Sequence, residues 1–215
     1  VIEEFSTIVL HIVLQYPEFC QTLLKTGDFG MILDASSLIP ALSFIIYIVF
    51  IVFGLYSRKD KVDGSFLQYM FFMALWSFGS FMMHANTGIL TPLLWNKVML
   101  MGLFGGPISF LATMIHLSGT EKRRYRVFLY AGYILYFFMA YLNLSSKVVT
   151  AAGFDADGFY YVLGSGAVVS YSLAYFFLGL SIIILAKQLM ESENRFKRKT
   201  LKLLIYGAVT IIGGV

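Results

Sequence analysis

The chain has 215 residues, of which 59% are apolar and only 13% charged, whereas about a quarter of the residues of an ordinary globular domain carry charge. Its net charge of +4 does not point to nucleic acid, because the Lys and Arg residues gather in short links between apolar bands, where membrane topology accounts for them. A single cysteine, Cys20, excludes an internal disulfide and any CxxC site.

Apolar bands separated by charged links predict an all-α fold, a polytopic integral membrane helix bundle with at least six spans, seven in the complete protein. Residues 1–37 read as an extracytoplasmic or interfacial segment and residues 38–215 as the bundle. Within the first segment, Phe5 to Leu24 reads as an amphipathic helix lying on the membrane surface. As a span it would carry Pro17 and Glu18 past its middle, a costly place for a carboxylate, although its length leaves a spanning helix open.

The first clear span is Leu38–Tyr56, with Pro40 in its first turn, where a missing N–H costs little. The link Arg58 to Gly64 returns the chain into a second span, Phe66–Ala85. Trp76 lies near the centre of that span, away from the interfacial belts, and is expected to face protein. A short turn-rich link containing Asn86, Gly88, Thr91 and Pro92 leads to Val98–Leu117. These twenty residues include no Asp, Glu, Lys or Arg and cover the ~30 Å hydrocarbon core at ~1.5 Å per residue. Gly105, Gly106 and Pro107 interrupt this third span. Pro107 cannot donate to the Leu103 carbonyl, so a bend and a candidate hinge are expected there.

After a basic loop (Glu121, Lys122, Arg123, Arg124, Arg126) comes a fourth, aromatic-rich span, Val127–Leu144. Ser145 to Val162 reads as a glycine-punctuated turn ending in the pair Tyr160 and Tyr161, suited to the membrane interface. The fifth span is Leu163–Ala186, opening on Gly164, Ser165, Gly166 and Ala167, small residues that permit close helix approach. A polar link follows, and Leu201–Val215 begins a sixth span. Thirteen of the 16 basic residues fall on one side of this arrangement, while Lys25, Lys97 and Lys147 fall on the other. The positive-inside bias therefore places the basic links in the cytoplasm.

Candidate chemistry is sparse. His84 and His116 belong to opposite ends of their spans and so do not share a metal or haem site. Asp155, Asp157 and Gly158 resemble the start of a calcium loop, but the twelfth position, which needs a bidentate Glu, is Gly166, so the segment reads as a turn. No metal, cofactor or catalytic motif is expected. The five complete spans lack Asp, Glu, Lys and Arg, which tells against a proton pump or ion-coupled carrier. The basic clusters Lys122–Arg126 and Arg195–Lys199 are explained by topology, with anionic headgroups as a further partner.

What remains is a collection of polar and aromatic groups. Trp76, His84, Asn86, Trp95, Asn143 and Tyr160 form either an ordinary aromatic belt or an outward-facing pocket for a small amphipathic ligand.

Ala74-Leu75-Trp76 in the second span, Leu94-Trp95-Asn96 opening the third, Pro107 within it, and the basic link after His116 make the chain resemble the seven-helix membrane sensory region at the N-terminus of some bacterial histidine kinases and related signalling proteins. The resemblance runs from about Leu38 to the end. It implies a multi-pass protein of the bacterial inner membrane with an outside N-terminus. It also implies an input module, a homodimer or complex subunit, whose last helix leads to a cytoplasmic kinase or cyclase domain. The alternative is a structural or transport subunit of a multi-protein membrane complex.

Overall fold

The computed structural model describes residues 35–57, 61–85, 90–117, 123–155 and 158–191, with 199, 201, 202, 205 and 206. The expected N-terminal amphipathic helix, Cys20, Asn86 and most of the sixth span lie outside these residues. The described elements are α1 (Ala35–Ser57), α2 (Lys61–Ala85), α3 (Pro92–Leu117), α4 (Arg123–Leu144), β1 (Val149–Asp155), β2 (Gly158–Leu163) and α5 (Ala167–Glu191). All five helices are long and apolar enough to cross a membrane.

The helices begin earlier than the apolar bands alone suggest, because polar residues at the water boundary continue the helical hydrogen bonding without entering lipid. Pro40, expected in a first turn, is thus the sixth residue of α1. Likewise α3 starts at Pro92, so that Trp95, Asn96 and Lys97 are helical residues. Proline suits that first position, having no N–H to leave unpaired, and the Thr91 carbonyl accepts from Leu94 and Trp95.

The bundle is built around α3. Buried residues make up 72% of its most apolar window and 0% of that of α1, and α3 packs against α2, α4, α5 and β1, while α1 packs on α2. Phe104 and Leu111 are fully buried, among Leu100, Ile108, Met139 and Phe177. A second cluster joins Phe110 and Met114 to Leu178, Leu185 and Leu201.

Glycines set the closeness of α2 and α3. A Cβ on Gly102 would strike the Trp76 amide nitrogen and lie 2.5 Å from the Phe72 carbonyl oxygen, and one on Gly79 would lie 2.6 Å from the Met99 amide nitrogen. One on Gly105 would run into the Phe72 ring. Backbones meet here because no side chain stands between them.

Residues 145–162, expected as a turn, contain an antiparallel hairpin with Gly153 opposite Tyr160 and Asp155 opposite Gly158. The run Phe159-Tyr160-Tyr161-Val162 is made of strong strand formers, and outside the bilayer a hairpin satisfies its backbone. The fifth helix consequently begins at Ala167, not Leu163, which closes β2. Gly164 and Gly166 are not helix-contact residues: their amides donate to the carbonyls of Val148 (2.8 Å) and Lys147 (2.8 Å). A side chain at Gly164 would collide with the Lys147 carbonyl oxygen.

Candidate functional site

The hairpin end of the bundle gathers most of the candidate residues, though in three separate groups. In the first, the Trp95 indole stands edge-on to Phe78 with ring centroids 5.6 Å apart. The neighbouring Asn96 amide approaches the Met83 sulfur at 3.8 Å. Both Trp95 and Asn96 are buried, and the Trp95 Nε1 and Asn96 Oδ1 atoms have no hydrogen-bond partner among the described residues.

In the second group, Asn143, wholly buried near the end of α4, donates from Nδ2 to the Lys97 carbonyl at 2.8 Å, and its Oδ1 has no partner among the described residues. The Lys97 ammonium donates to the Leu144 carbonyl (2.9 Å) and to Ser146 Oγ (2.8 Å). Ser146 holds a left-handed backbone with φ 56°, an uncommon conformation for a residue with a Cβ, and the turn around it presents the hydroxyl to Lys97.

The third group belongs to the hairpin. His84 meets Phe159 with ring centroids 5.8 Å apart, and Phe159 also packs against Phe154 and Tyr161. Tyr160 lies over Gly153, whose Cβ would come 3.1 Å from the Tyr160 hydroxyl.

Trp76 stands apart from these groups. Its backbone abuts Gly102, about two turns along α3 from Trp95, and its side chain is half-buried. Trp95 with Asn96 and Asn143 with Lys97 are therefore two separate groups at the start of α3, His84 and Tyr160 belong to the hairpin side, and Asn86 is outside the described residues.

The expected hinge residues also take definite places. The α-helix is continuous through Pro107. Ser109 Oγ donates to the carbonyls of Gly105 (2.8 Å) and Gly106 (3.0 Å), and Thr113 Oγ1 donates to the Ser109 carbonyl (2.9 Å). Such bonding of Ser and Thr to the preceding turn often bends helices.

A family model described as the N-terminal 7TM region of histidine kinase matches residues 39–215. The chain belongs to this family. No match was found among curated proteins or among solved structures. Membership of the histidine-kinase 7TM family accords with the five membrane-spanning helices and with lipid contact along their exposed faces, where Ile39, Ile45 and Phe53 of α1 are more than half exposed.

In this member of the family, sequence reasoning overlooked a second polar grouping at the opposite end. There His116 Nδ1 lies 3.2 Å from Ser65 Oγ, and the Tyr133 hydroxyl donates to Gln68 Oε1 at 2.7 Å. His116 and His84 are thus separated by the stretch of α2 from Ser65 to His84, roughly 28 Å at 1.5 Å per residue. Gln68 was the available signal: an amide inside an apolar span, one turn from Ser65, calls for a partner.

Proposed function

We propose that the chain is the sensory input region of a bacterial signal-transduction protein. It takes a small amphipathic ligand at the hairpin end, or responds to the membrane itself, and relays the event to a cytoplasmic output domain. The observation that carries this reading is the set of unpaired buried atoms around the start of α3: Trp95 Nε1, Asn96 Oδ1 and Asn143 Oδ1. One donor and two acceptors left unpaired cost about 1–3 kcal/mol each, a cost that a polar ligand group among apolar walls would remove. The family supports the sensory class of function.

In this reading α3 transmits the signal. Its outer end carries Trp95 and Asn96, and its inner end carries His116. Gly105, Gly106 and Pro107 lie between, where a missing backbone donor and two absent side chains bring two helix bends within a few kcal/mol of each other. The packing of Gly105 against the Phe72 ring means that a change of bend repacks α2 as well.

The test is made on the full-length protein in liposomes, reading output activity beside expression and insertion. Trp95→Phe and Asn143→Leu should shift the basal output or its response to a panel of amphipathic compounds. Pro107→Ala should lock the output in one state. Unchanged output and response in all three variants would overturn the reading. A gene that stops after a seventh helix without an output domain would favour the membrane-complex subunit instead.

A further inference from the structure

At the end of the bundle opposite the hairpin, α2, α3 and α4 enclose a cleft of about 450 Å³. Its wall is graded. Arg126 and His116 stand at the level where the spans end, Gln68 and Tyr133 lie deeper, and Ala112 and Leu129 supply apolar surface beside them. Tyr133 follows Arg126 by seven residues, so the cleft runs roughly 10 Å along α4.

Three features indicate what would occupy it. Arg126 is exposed and has no ion-pair partner among the described residues. The Gln68 oxygen is taken by the Tyr133 hydroxyl, which leaves the amide nitrogen of this residue to donate elsewhere. The volume falls within the ~300–1,000 Å³ of pockets that hold drug-sized ligands, far more than one inorganic phosphate would fill. The cleft thus offers a positive charge and hydrogen-bond donors at the depth of the lipid headgroups, with apolar wall continuing toward the hydrocarbon.

We propose that this cleft is a binding site for the phosphate headgroup of an anionic phospholipid from the leaflet at that end. The Arg126 guanidinium pairs with the phosphate, and Gln68 and His116 bond the phosphate or glycerol oxygens. The upper acyl carbons lie along Ala112, Ile115 and Leu129. A guanidinium suits a phosphate diester because its fork of N–H donors can meet two oxygens together. The first turns of α2 and α4 face the same end and add the partial positive charge of two helix N-termini. The site would tie three helices to one lipid molecule.

The experiment is native mass spectrometry of the full-length protein in detergent, titrated with phosphatidylglycerol or with phosphatidylcholine. Phosphatidylglycerol should be retained in preference. Arg126→Gln should weaken that retention about fivefold, the effect of removing one basic residue near a lipid surface, and Gln68→Leu should weaken it too. Lys187→Gln removes a different exposed cation from the same end, one that lies 3.7 Å from Glu191, and should leave retention as it was.

Equal retention of the two lipids overturns the proposal, as does an Arg126→Gln loss no larger than that of Lys187→Gln. Inorganic phosphate displacing phosphatidylglycerol at comparable concentration would show a site for a free anion and overturn the lipid assignment. Arg126 is exposed, so its variant should unfold at the parent temperature. If it does not, Arg126→Lys takes its place: it keeps the charge but loses the fork, so it should weaken retention less than Arg126→Gln yet more than Lys187→Gln, and a loss no larger than that of Lys187→Gln overturns the proposal.

Discussion

Lys97 and Asn143 clasp each other's helices in opposite directions. The Lys97 ammonium donates to the carbonyl of Leu144, at the end of α4, and the Asn143 amide donates to the carbonyl of Lys97. A cation over the last carbonyls of a helix meets the negative end of its dipole, so this lysine stabilises α4 while belonging to α3.

Lys97→Met should therefore lower stability by about 1.5–3 kcal/mol, the range for hydrogen bonds to charged groups, and Lys97→Arg should recover part of the loss. Asn143→Leu should cost about 1–3 kcal/mol by leaving the Lys97 carbonyl without its buried donor. Thermal unfolding in a single detergent measures both. A Lys97→Met protein that melts with the parent would contradict the clasp.

The glycines should divide sharply. Gly102→Ala places a methyl against backbone atoms of α2 that cannot move aside and should cost about 1–3 kcal/mol or more. At Gly106 a Cβ would meet the Met73 sulfur at 3.6 Å, and at Gly179 it would meet nothing within 4 Å. Alanine at either should be tolerated, with a gain of about 0.5–1 kcal/mol at Gly179 from lost unfolded-state freedom. Monodispersity on size exclusion, followed by melting, separates the cases.

Tyr133 and Gln68 join α4 to α2 at 2.7 Å. A double-mutant cycle with Tyr133→Phe and Gln68→Leu should give a coupling of about 0.6 kcal/mol, with an upper limit near 1.7, as for other hydrogen bonds between membrane helices. Zero coupling would show that the bond contributes nothing.

Orientation is open to direct labelling. Tyr161 on β2 and Lys187 on α5 are both exposed and belong to opposite ends of the bundle. In a Cys20→Ser background, a cysteine at 161 should react with a membrane-impermeant thiol reagent in intact cells, and a cysteine at 187 should not. The reverse pattern would invert the topology argued from the basic links.

The bundle was legible in the sequence because lipid imposes a simple requirement: a helix must stay apolar for about 20 residues. Nothing comparable governs the hairpin. Its run Phe159-Tyr160-Tyr161-Val162 suits both a strand and a membrane interface, and only pairing with residues 149–155 decides between them. Trp95 and Asn143 were visible as polar or amphipathic residues at span ends. Their role was not, because the bonds of Lys97 reach residues 47 and 49 positions away. The cleft depends on three helices meeting, a relationship that no single span expresses. Trp76 was legible in part: its central place in the span predicts protein contact, and its backbone meets Gly102, a partner on another helix that the span itself does not reveal.

The central position of α3 bears on how the protein is made. Of the described elements that pack against α3, α2 precedes it in the chain, and α4, β1 and α5 all follow. Asn96 and Lys97 therefore leave the ribosome before Asn143 exists, and the Met114 carbonyl before Gln188, whose side chain reaches it at 3.4 Å. For the time taken to synthesise some seventy residues, a helix suited to a protein interior has lipid or an insertase for company. Its release into the finished bundle has to wait for the C-terminal half of the chain.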